Sequence, residues 1–216
     1  MKISAIVLDF DGTIIDTEWP HFEAVRGAYR ELGAELTLDQ WQHRIGRADN
    51  KPWIEDLREL APSGTDVEEL ADRWRAHKNA ATTTQPIRPG IEELMGRAWM
   101  AGLPVAVASS SSHSWVAPHL ERLGLADLVH AVRTRDDVEH AKPWPDVYLA
   151  ACDAMAVDPA SAVAIEDSHN GCVAAKAAGL SCVAAYHTVT AGQDFSMADV
   201  VVPDLTHLEP GTLGLP

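Results

Sequence analysis

The chain alternates between short apolar runs and longer segments with a helical period. The first run, residues 3–8, is continuous and rich in β-branched residues, which is typical of a strand buried on both faces. Later apolar runs predict further strands at residues 104–108, 128–132, 162–165, 181–185 and 200–202. Helical periods separate these runs. We therefore predict an α/β fold with a doubly wound, Rossmann-like core, in which helices cover both faces of a parallel sheet.

Residues 17–86 follow a different pattern, because only helical periods occur there. Apolar residues recur at helical spacing from Phe22 to Leu32, and two further helical faces follow in residues 53–60 and 67–74. A segment of this length inside an α/β chain predicts an inserted helical bundle. We therefore predict two domains. The core would comprise residues 1–16 and 87–216, and a helical-bundle cap domain would comprise residues 17–86.

Composition and charge limit which binding partners and which cellular compartment the sequence predicts. The formal net charge of −15 argues against nucleic acid or a membrane surface as a partner, and no apolar run approaches the length of a membrane span. The run at residues 3–8 is too short for a signal peptide. Cys152, Cys172 and Cys182 lack zinc-ligand spacing and are predicted as core residues in a reducing cytoplasm. An anionic substrate would need local cations to overcome the acidic excess.

Two acidic residues follow the first predicted strand, in the segment Asp9-Phe10-Asp11-Gly12-Thr13. Ligands of open α/β sheets bind beyond the carboxyl ends of the strands, and alternation would direct Asp9 and Asp11 to the same side. Carboxylates this close repel each other unless a cation lies between them or one of them stays protonated. The segment therefore predicts a site for Mg²⁺, which prefers carboxylate, carbonyl, water and phosphate oxygens.

Hydroxyl and amino groups occur at two later positions. Ser109 follows the strand predicted at residues 104–108 and precedes a helix, where a hydroxyl can donate to phosphate. Ser110 is a second candidate in the same serine cluster. Lys142 precedes Pro143 in a proline-rich segment that fixes the direction of the chain. A lysine held there would supply the missing local cation.

A second acidic pair, Glu166 and Asp167, follows the strand predicted at residues 162–165. Asp167 is the simpler candidate for a metal ligand. Glu166 could bind the ion directly, bind it through a water, or orient a neighbouring group.

Taken in order, these segments resemble the four motifs of the haloacid dehalogenase superfamily. They are residues 9–13, Ser109, Lys142 with its prolines, and Glu166-Asp167-Ser168. A helical cap between the first two motifs is similar to the β-phosphoglucomutase-like branch of sugar phosphatases and mutases. The resemblance covers essentially the whole chain. It implies a Mg²⁺-dependent phosphatase, a phosphoric monoester hydrolase, that acts on a small phosphorylated metabolite such as a sugar phosphate.

The resemblance also implies roles for the acidic residues. Asp9 would attack phosphorus and form an aspartyl-phosphate, whereas Asp11 would protonate the leaving alcohol and then take a proton from water. Mg²⁺ would be held by Asp9, by the backbone carbonyl of Asp11 and by Asp167, with Glu166 as a further candidate ligand.

Phosphate-binding roles would fall to other motif residues. Ser109 and Lys142 would contact the phosphoryl oxygens. Thr13 would stabilise the turn or reach a phosphate oxygen. His21 lies where the branch carries a cap-hinge histidine, although a polar residue on the exposed side of the first cap helix fits the pattern as well.

Several cap positions bear on the subclass. The mutase branch usually has valine in place of Thr13, and its cap lysine has no clear counterpart here. Trp74 lies nearest to that position, with Arg75 and Lys78 close by, and Arg47 is the best match for the cap arginine. These departures favour a phosphatase over the alternative, a β-phosphoglucomutase-like sugar-phosphate mutase.

The cap tryptophans divide into two groups. Trp53 and Trp74 follow helical spacing and are predicted to lie in the core of the bundle, whereas Trp19, near the hinge, is predicted to line the pocket. The cap is expected to set specificity by closing over the core.

Two hypotheses from outside this group stay open: a metal-independent dehalogenase, and a binding module on a degraded enzyme scaffold. The expected partner is a small phosphorylated metabolite, with no nucleic acid and no membrane, and the expected state is a monomer or a homodimer.

Overall fold

A six-stranded parallel sheet forms the centre of the computed structural model, which describes residues 3–42 and 52–215. The strands are β1 (Ala5–Leu8), β2 (Val105–Ala108), β3 (Ala131–Arg133), β4 (Ala162–Glu166), β5 (Ser181–Ala185) and β6 (Val200–Val202). Their order across the sheet is β3-β2-β1-β4-β5-β6, and every neighbouring pair is parallel. This confirms the predicted doubly wound α/β core and places β1 at its centre.

Four helices cover the two faces of the sheet: α5 (Ile91–Met100), α6 (His113–Arg122), α7 (Asp146–Ala154) and α8 (His169–Ala177). Successive residues of β1 point to opposite faces. Ile6 and Leu8 lie in one apolar core with α5 and α6, whereas Ala5 and Val7 lie in a second core with α7 and α8. Burial on both faces explains why the strands are continuous apolar runs.

The chain between β1 and α5 forms four described helices: α1 (Glu18–Glu31), α2 (Leu38–Gln42), α3 (Trp53–Leu60) and α4 (Val67–Thr82). They share an apolar core of their own, which includes Phe22, Leu57 and Leu70. The two connections to the sheet run side by side, because Ile15 forms an antiparallel bridge with Ile87. The division of the chain at residues 17 and 86 stays a prediction.

Some boundaries and burial states differ from the sequence predictions. The third strand is shorter than predicted, because Ala126–Leu128 forms a 3₁₀ turn and the strand begins at Ala131. Trp53 and Trp74 are only partly buried against the helical core, whereas Trp41 is buried. The three cysteines are buried and free. Within residues 3–42 and 52–215, no helix has the length and apolar character needed to cross a membrane.

Candidate active site

Three carboxylates meet at the carboxyl ends of the two central strands. Leu8 of β1 lies beside Ile165 of β4, and the backbone N–H of Asp9 donates to the carbonyl of Ile165 over 2.9 Å. This register brings one oxygen each of Asp9, Glu166 and Asp167 within 4.8 Å of one another. All three side chains are buried.

The ammonium of Lys142 lies between two of these carboxylates. It donates to Oε1 of Glu166 over 2.6 Å and to Oδ1 of Asp9, and only 6% of its side chain is exposed. Burial lowers the pKa of Lys142, but the carboxylates of Asp9 and Glu166 outweigh burial and raise this pKa above its ordinary value. Lys142 is therefore a fixed positive charge in the site.

The cluster holds more negative charge than Lys142 neutralises. Burial raises the pKa of Asp9 and of Asp167 well above the ordinary value; Lys142 opposes the shift, and the neighbouring carboxylates add to it. A divalent cation would remove the repulsion among these groups, and carboxylate oxygens are its usual ligands. The donor set therefore fits a divalent metal such as Mg²⁺, with Asp9 and Asp167 as its predicted ligands.

Both oxygens of Glu166 already accept hydrogen bonds from the protein. Oε1 accepts from the hydroxyl of Tyr148 over 2.6 Å and from Lys142. Oε2 accepts from the backbone N–H of Asp167 over 3.1 Å and from the hydroxyl of Ser168 over 3.1 Å. Of the three roles that the sequence left open, these contacts favour the one in which Glu166 orients its neighbours.

A histidine that sequence analysis did not single out holds Asp167. His187 lies two residues beyond β5. Its Nε2 donates to Oδ2 of Asp167 over 2.9 Å, and its Nδ1 accepts from the backbone N–H of Val189 over 3.2 Å. Burial and the nearby Arg88 lower the pKa of His187 to about 4, so the neutral ring forms a hydrogen bond with Asp167 rather than an ion pair at pH 7. Its place beyond the carboxyl end of a strand is a signal that could have identified it.

The carboxylate of Asp11 points toward the segment between β2 and α6. Its Oδ2 accepts from the hydroxyl of Ser111 over 2.6 Å and from that of Ser109 over 3.4 Å. Its Oδ1 accepts from Nε1 of Trp115 over 2.9 Å. The Asp11 carboxylate is therefore not one of the three clustered carboxylates. A metal contact from this residue would use its backbone carbonyl, as the family resemblance implies.

A pocket of about 350 Å³ opens onto these groups. The predicted site residues that line it are Asp9, Asp11, Ser109, Ser110, Lys142 and Asp167. Glu18 of α1 and Lys78 of α4 line it from the helical segment. A pocket of this size suits a small metabolite.

Glu18 and Lys78 bring ionisable groups from the helical segment to the pocket. Burial, together with the charges of Asp167 and Asp11, raises the pKa of Glu18 to about 7. The ammonium of Lys78 lies 4.6 Å from the centre of the Trp115 ring. The sequence pattern places Lys78 only near the expected cap-lysine position, and Glu18 is not among the predicted site residues.

Three predicted residues lie at the margin of the site or outside it. Thr13 is buried, and its hydroxyl has no hydrogen-bond partner within the described ranges. His21 lies in a neighbouring pocket of about 230 Å³ that Lys78 also lines, and burial lowers the pKa of this histidine to about 4. Trp19, predicted to line the pocket, packs against Phe22 with its ring partly exposed. Arg47, the candidate cap arginine, lies outside the described residues.

This combination of a parallel sheet, a helical insertion after the first strand and a carboxylate cluster at the strand ends defines a family. The sequence model of the haloacid dehalogenase-like hydrolase family matches residues 6–185. The chain belongs to this family.

Individual relatives are similar to this protein along nearly its whole length. The chain is 37% identical to "Putative phosphatase YhcW" of Bacillus subtilis, over 96% of this chain and 94% of the relative. It is 31% identical to validoxylamine A 7'-phosphate phosphatase of Streptomyces hygroscopicus subsp. limoneus, over 94% of each chain. Among solved structures, a "putative beta-phosphoglucomutase" from Thermotoga maritima superposes with a TM-score of 0.75 at 25% identity, over 94% of each chain.

Proposed function

We propose that this protein is a Mg²⁺-dependent phosphatase that hydrolyses a small phosphorylated metabolite, such as a sugar phosphate, through an aspartyl-phosphate on Asp9. The observation that carries the proposal is the position of Asp9. Its carboxylate lies at the end of the central strand and contacts Lys142. Asp9 and Asp11 line the same pocket. Similarity to proteins named as phosphatases supports the same class of reaction.

The carboxylate cluster supports the proposal of a bound metal ion. Asp9, Asp167 and the backbone carbonyl of Asp11 would hold Mg²⁺, and Glu166 would orient Lys142 and the backbone N–H of Asp167. When bound, the ion would neutralise charge on the phosphoryl oxygens. His187 would keep the Asp167 carboxylate in its ligating orientation.

The residues of the chain perform the chemical steps. A carboxylate oxygen of Asp9 attacks phosphorus, and the bond from phosphorus to the substrate oxygen breaks. Asp11 gives its proton to that leaving oxygen, and later takes a proton from the water that attacks the aspartyl-phosphate. Water releases inorganic phosphate and restores Asp9. Lys142 and Ser109 hold the phosphoryl oxygens during both transfers.

Residues 17–86 would act as a cap domain on a core formed by residues 1–16 and 87–216. Glu18 and Lys78 are the residues through which this cap reaches the pocket. We propose that they contact the part of the substrate beyond the phosphoryl group. Closure of the cap would exclude bulk water while the phosphoryl group is transferred.

A second candidate function is a sugar-phosphate mutase, which the similarity to the Thermotoga maritima structure favours. Thr13 in place of the usual valine, and the lack of a lysine at the position of Trp74, argue for the phosphatase instead. A mutase would interconvert isomers of a sugar phosphate without net release of phosphate.

The test measures phosphate release from a panel of phosphorylated sugars and small metabolites, with Mg²⁺ or with a chelator. Asp9→Asn should abolish release while circular dichroism stays unchanged. The matched control is Asp153→Asn, on the exposed face of α7, which should keep wild-type activity. Release that survives in Asp9→Asn would exclude the aspartyl-phosphate, and release that survives the chelator would exclude Mg²⁺. Isomer conversion without release would establish the mutase.

A further inference from the structure

The indole of Trp115 contacts the predicted acid–base residue on one side and the helical segment on the other. Its Nε1 donates to Oδ1 of Asp11 over 2.9 Å. The ammonium of Lys78 lies 4.6 Å from the centre of its ring. Trp115 belongs to the first turn of α6, in the core, whereas Lys78 belongs to α4, in the helical segment inserted between β1 and β2.

Packing alone does not account for this arrangement. Trp115 is partly buried, packs against the core beneath α6, and makes an edge contact with His119 at 4.7 Å between ring centres. A phenylalanine would fill most of the same space. The indole N–H, which phenylalanine lacks, donates its hydrogen bond to a carboxylate in the pocket.

The two contacts reinforce each other electrostatically. A cation over the face of an indole draws electron density from the ring, so the N–H becomes a stronger donor to an anion at the ring edge. Ser111 holds the other Asp11 oxygen over 2.6 Å, which leaves Trp115 to fix the rotation of the carboxylate. The position of α4 at the pocket brings Lys78 to the ring.

We propose that Trp115 is a positioning residue that couples the helical segment to Asp11: Lys78 on the ring strengthens the hydrogen bond by which the indole orients the Asp11 carboxylate. The inference rests on the proposed function, in which Asp11 transfers the proton. It assigns Trp115 no contact with substrate or metal. The position of α4 over the pocket is thereby linked to the orientation of the Asp11 carboxylate.

Kinetics with a matched control give the first test. Trp115→Phe should lower kcat about tenfold, the usual effect of losing one hydrogen bond to a charged group, while KM changes less than about twofold. Trp99→Phe, on an exposed tryptophan at the end of α5, should leave both constants unchanged. Lys78→Met should lower kcat in the wild-type background and have a smaller effect on kcat in the Trp115→Phe background. Unchanged kcat in Trp115→Phe, or fully additive effects, would overturn the coupling.

A second measurement needs no turnover. The chain has seven tryptophans, and the indole N–H signal that disappears in the ¹H–¹⁵N spectrum of Trp115→Phe belongs to Trp115. Asp11→Ala should move this signal upfield, because the hydrogen bond is lost, and Lys78→Met should move it in the same direction by less. A Trp115 signal that stays in place in either variant would overturn the inference. If the wild type releases no phosphate but both shifts are present, the phosphatase proposal is overturned. The coupling of Lys78 to Asp11 through Trp115 is then still supported.

Discussion

Nε2 of His187 donates a hydrogen bond to Oδ2 of Asp167 over 2.9 Å, so the segment after β5 orients a carboxylate at the end of β4. The neighbouring backbone supports this contact, because Nδ1 of the same ring accepts from the N–H of Val189. Residues from adjacent strand ends thus form a second layer around the predicted metal site.

Replacing His187 should therefore weaken metal binding rather than abolish the fold. Loss of a hydrogen bond to a metal ligand typically lowers metal affinity about 10- to 100-fold, and we expect His187→Ala to fall in this range for Mg²⁺. Titration calorimetry measures the affinity. The control is His207→Ala, since that imidazole is exposed beside Asp204. Equal Mg²⁺ affinity in wild type and His187→Ala would show that the histidine does not support the metal site.

Gly171 allows α8 to approach the carboxylate of Glu166. A Cβ at this position would lie 1.9 Å from Oε1 and 2.0 Å from Oε2. We expect Gly171→Ala to destabilise the protein by about 1–3 kcal/mol through overpacking, and to lower kcat because Glu166 and its partner Lys142 are displaced. Urea unfolding and phosphate release provide the measurements.

The control for that substitution is Gly96→Ala, on the exposed side of α5, where an added Cβ meets no atom within 4 Å. It should raise the free energy of unfolding by up to about 1 kcal/mol, since alanine favours the helix. Gly171→Ala with wild-type stability would mean that the close approach to Glu166 is not required.

Removing the buried ammonium of Lys142 should cost stability in a pH-dependent way. Lys142→Met leaves the carboxylates of Asp9 and Glu166 buried without their cation, which costs about 3–5 kcal/mol at neutral pH. The pKa of Asp9, already raised, would rise further in the variant. Protonation favours the folded state of such a group, so stability is recovered as pH falls toward the unfolded pKa near 4 and is lost as pH rises. The deficit should therefore be larger at pH 8 than at pH 5.

Urea unfolding at both pH values measures this deficit. Lys176→Met is the control, because the ion pair of Lys176 with Asp199 is partly exposed to solvent and should contribute less than about 1 kcal/mol. A deficit that is the same at pH 5 and pH 8 would contradict the raised pKa of Asp9.

Glu18 should make the protein less stable as pH rises toward 7. Its pKa is raised from 4.5 to about 7, chiefly by burial, so the folded state prefers the protonated form. The associated stability is complete below pH 4.5 and is lost as pH rises to 7. Glu18→Gln keeps the neutral form at every pH, and should be more stable than wild type by about 2 kcal/mol at pH 8 and by less at pH 5.

Thermal or urea unfolding at the two pH values checks this expectation for Glu18. Glu121→Gln, exposed on α6, serves as the control and should show the same small difference at both pH values. A Glu18→Gln variant that is no more stable than wild type at pH 8 would contradict the raised pKa.

Residues at strand ends were the ones that sequence could identify. Asp9, Ser109, Glu166 and Asp167 each follow or end a continuous apolar run, and parallel strands bring such positions to one edge of a sheet. The orientation of the Asp11 carboxylate could not be deduced in the same way. Strand alternation ends at Leu8, and the chain then turns, so the side chain bonds to Ser111 and Trp115 instead of joining Asp9.

Contacts between elements that are distant in sequence could be identified only from the structure. Lys78 lies four residues after Trp74, and helical periodicity places both on one side of α4, yet the period does not say which element that side meets. The same limit applied to Trp115, whose partners Asp11 and Lys78 come from two other segments. The third strand was misplaced because an apolar run does not distinguish the 3₁₀ turn at Ala126–Leu128 from a strand.

The central position of β1 also has a consequence for how the chain folds. Ile6 pairs with Val105 on one side and with Val163 on the other, so both neighbours of the first strand are far from it in sequence. Closing such long loops costs conformational entropy before the new contacts offset it, which delays these pairings. During synthesis, Asp9 therefore cannot meet Glu166 and Asp167 until residues 162–167 have left the ribosome. The order of synthesis thus makes the carboxylate cluster a late feature of folding, even though the predicted nucleophile lies near the start of the chain.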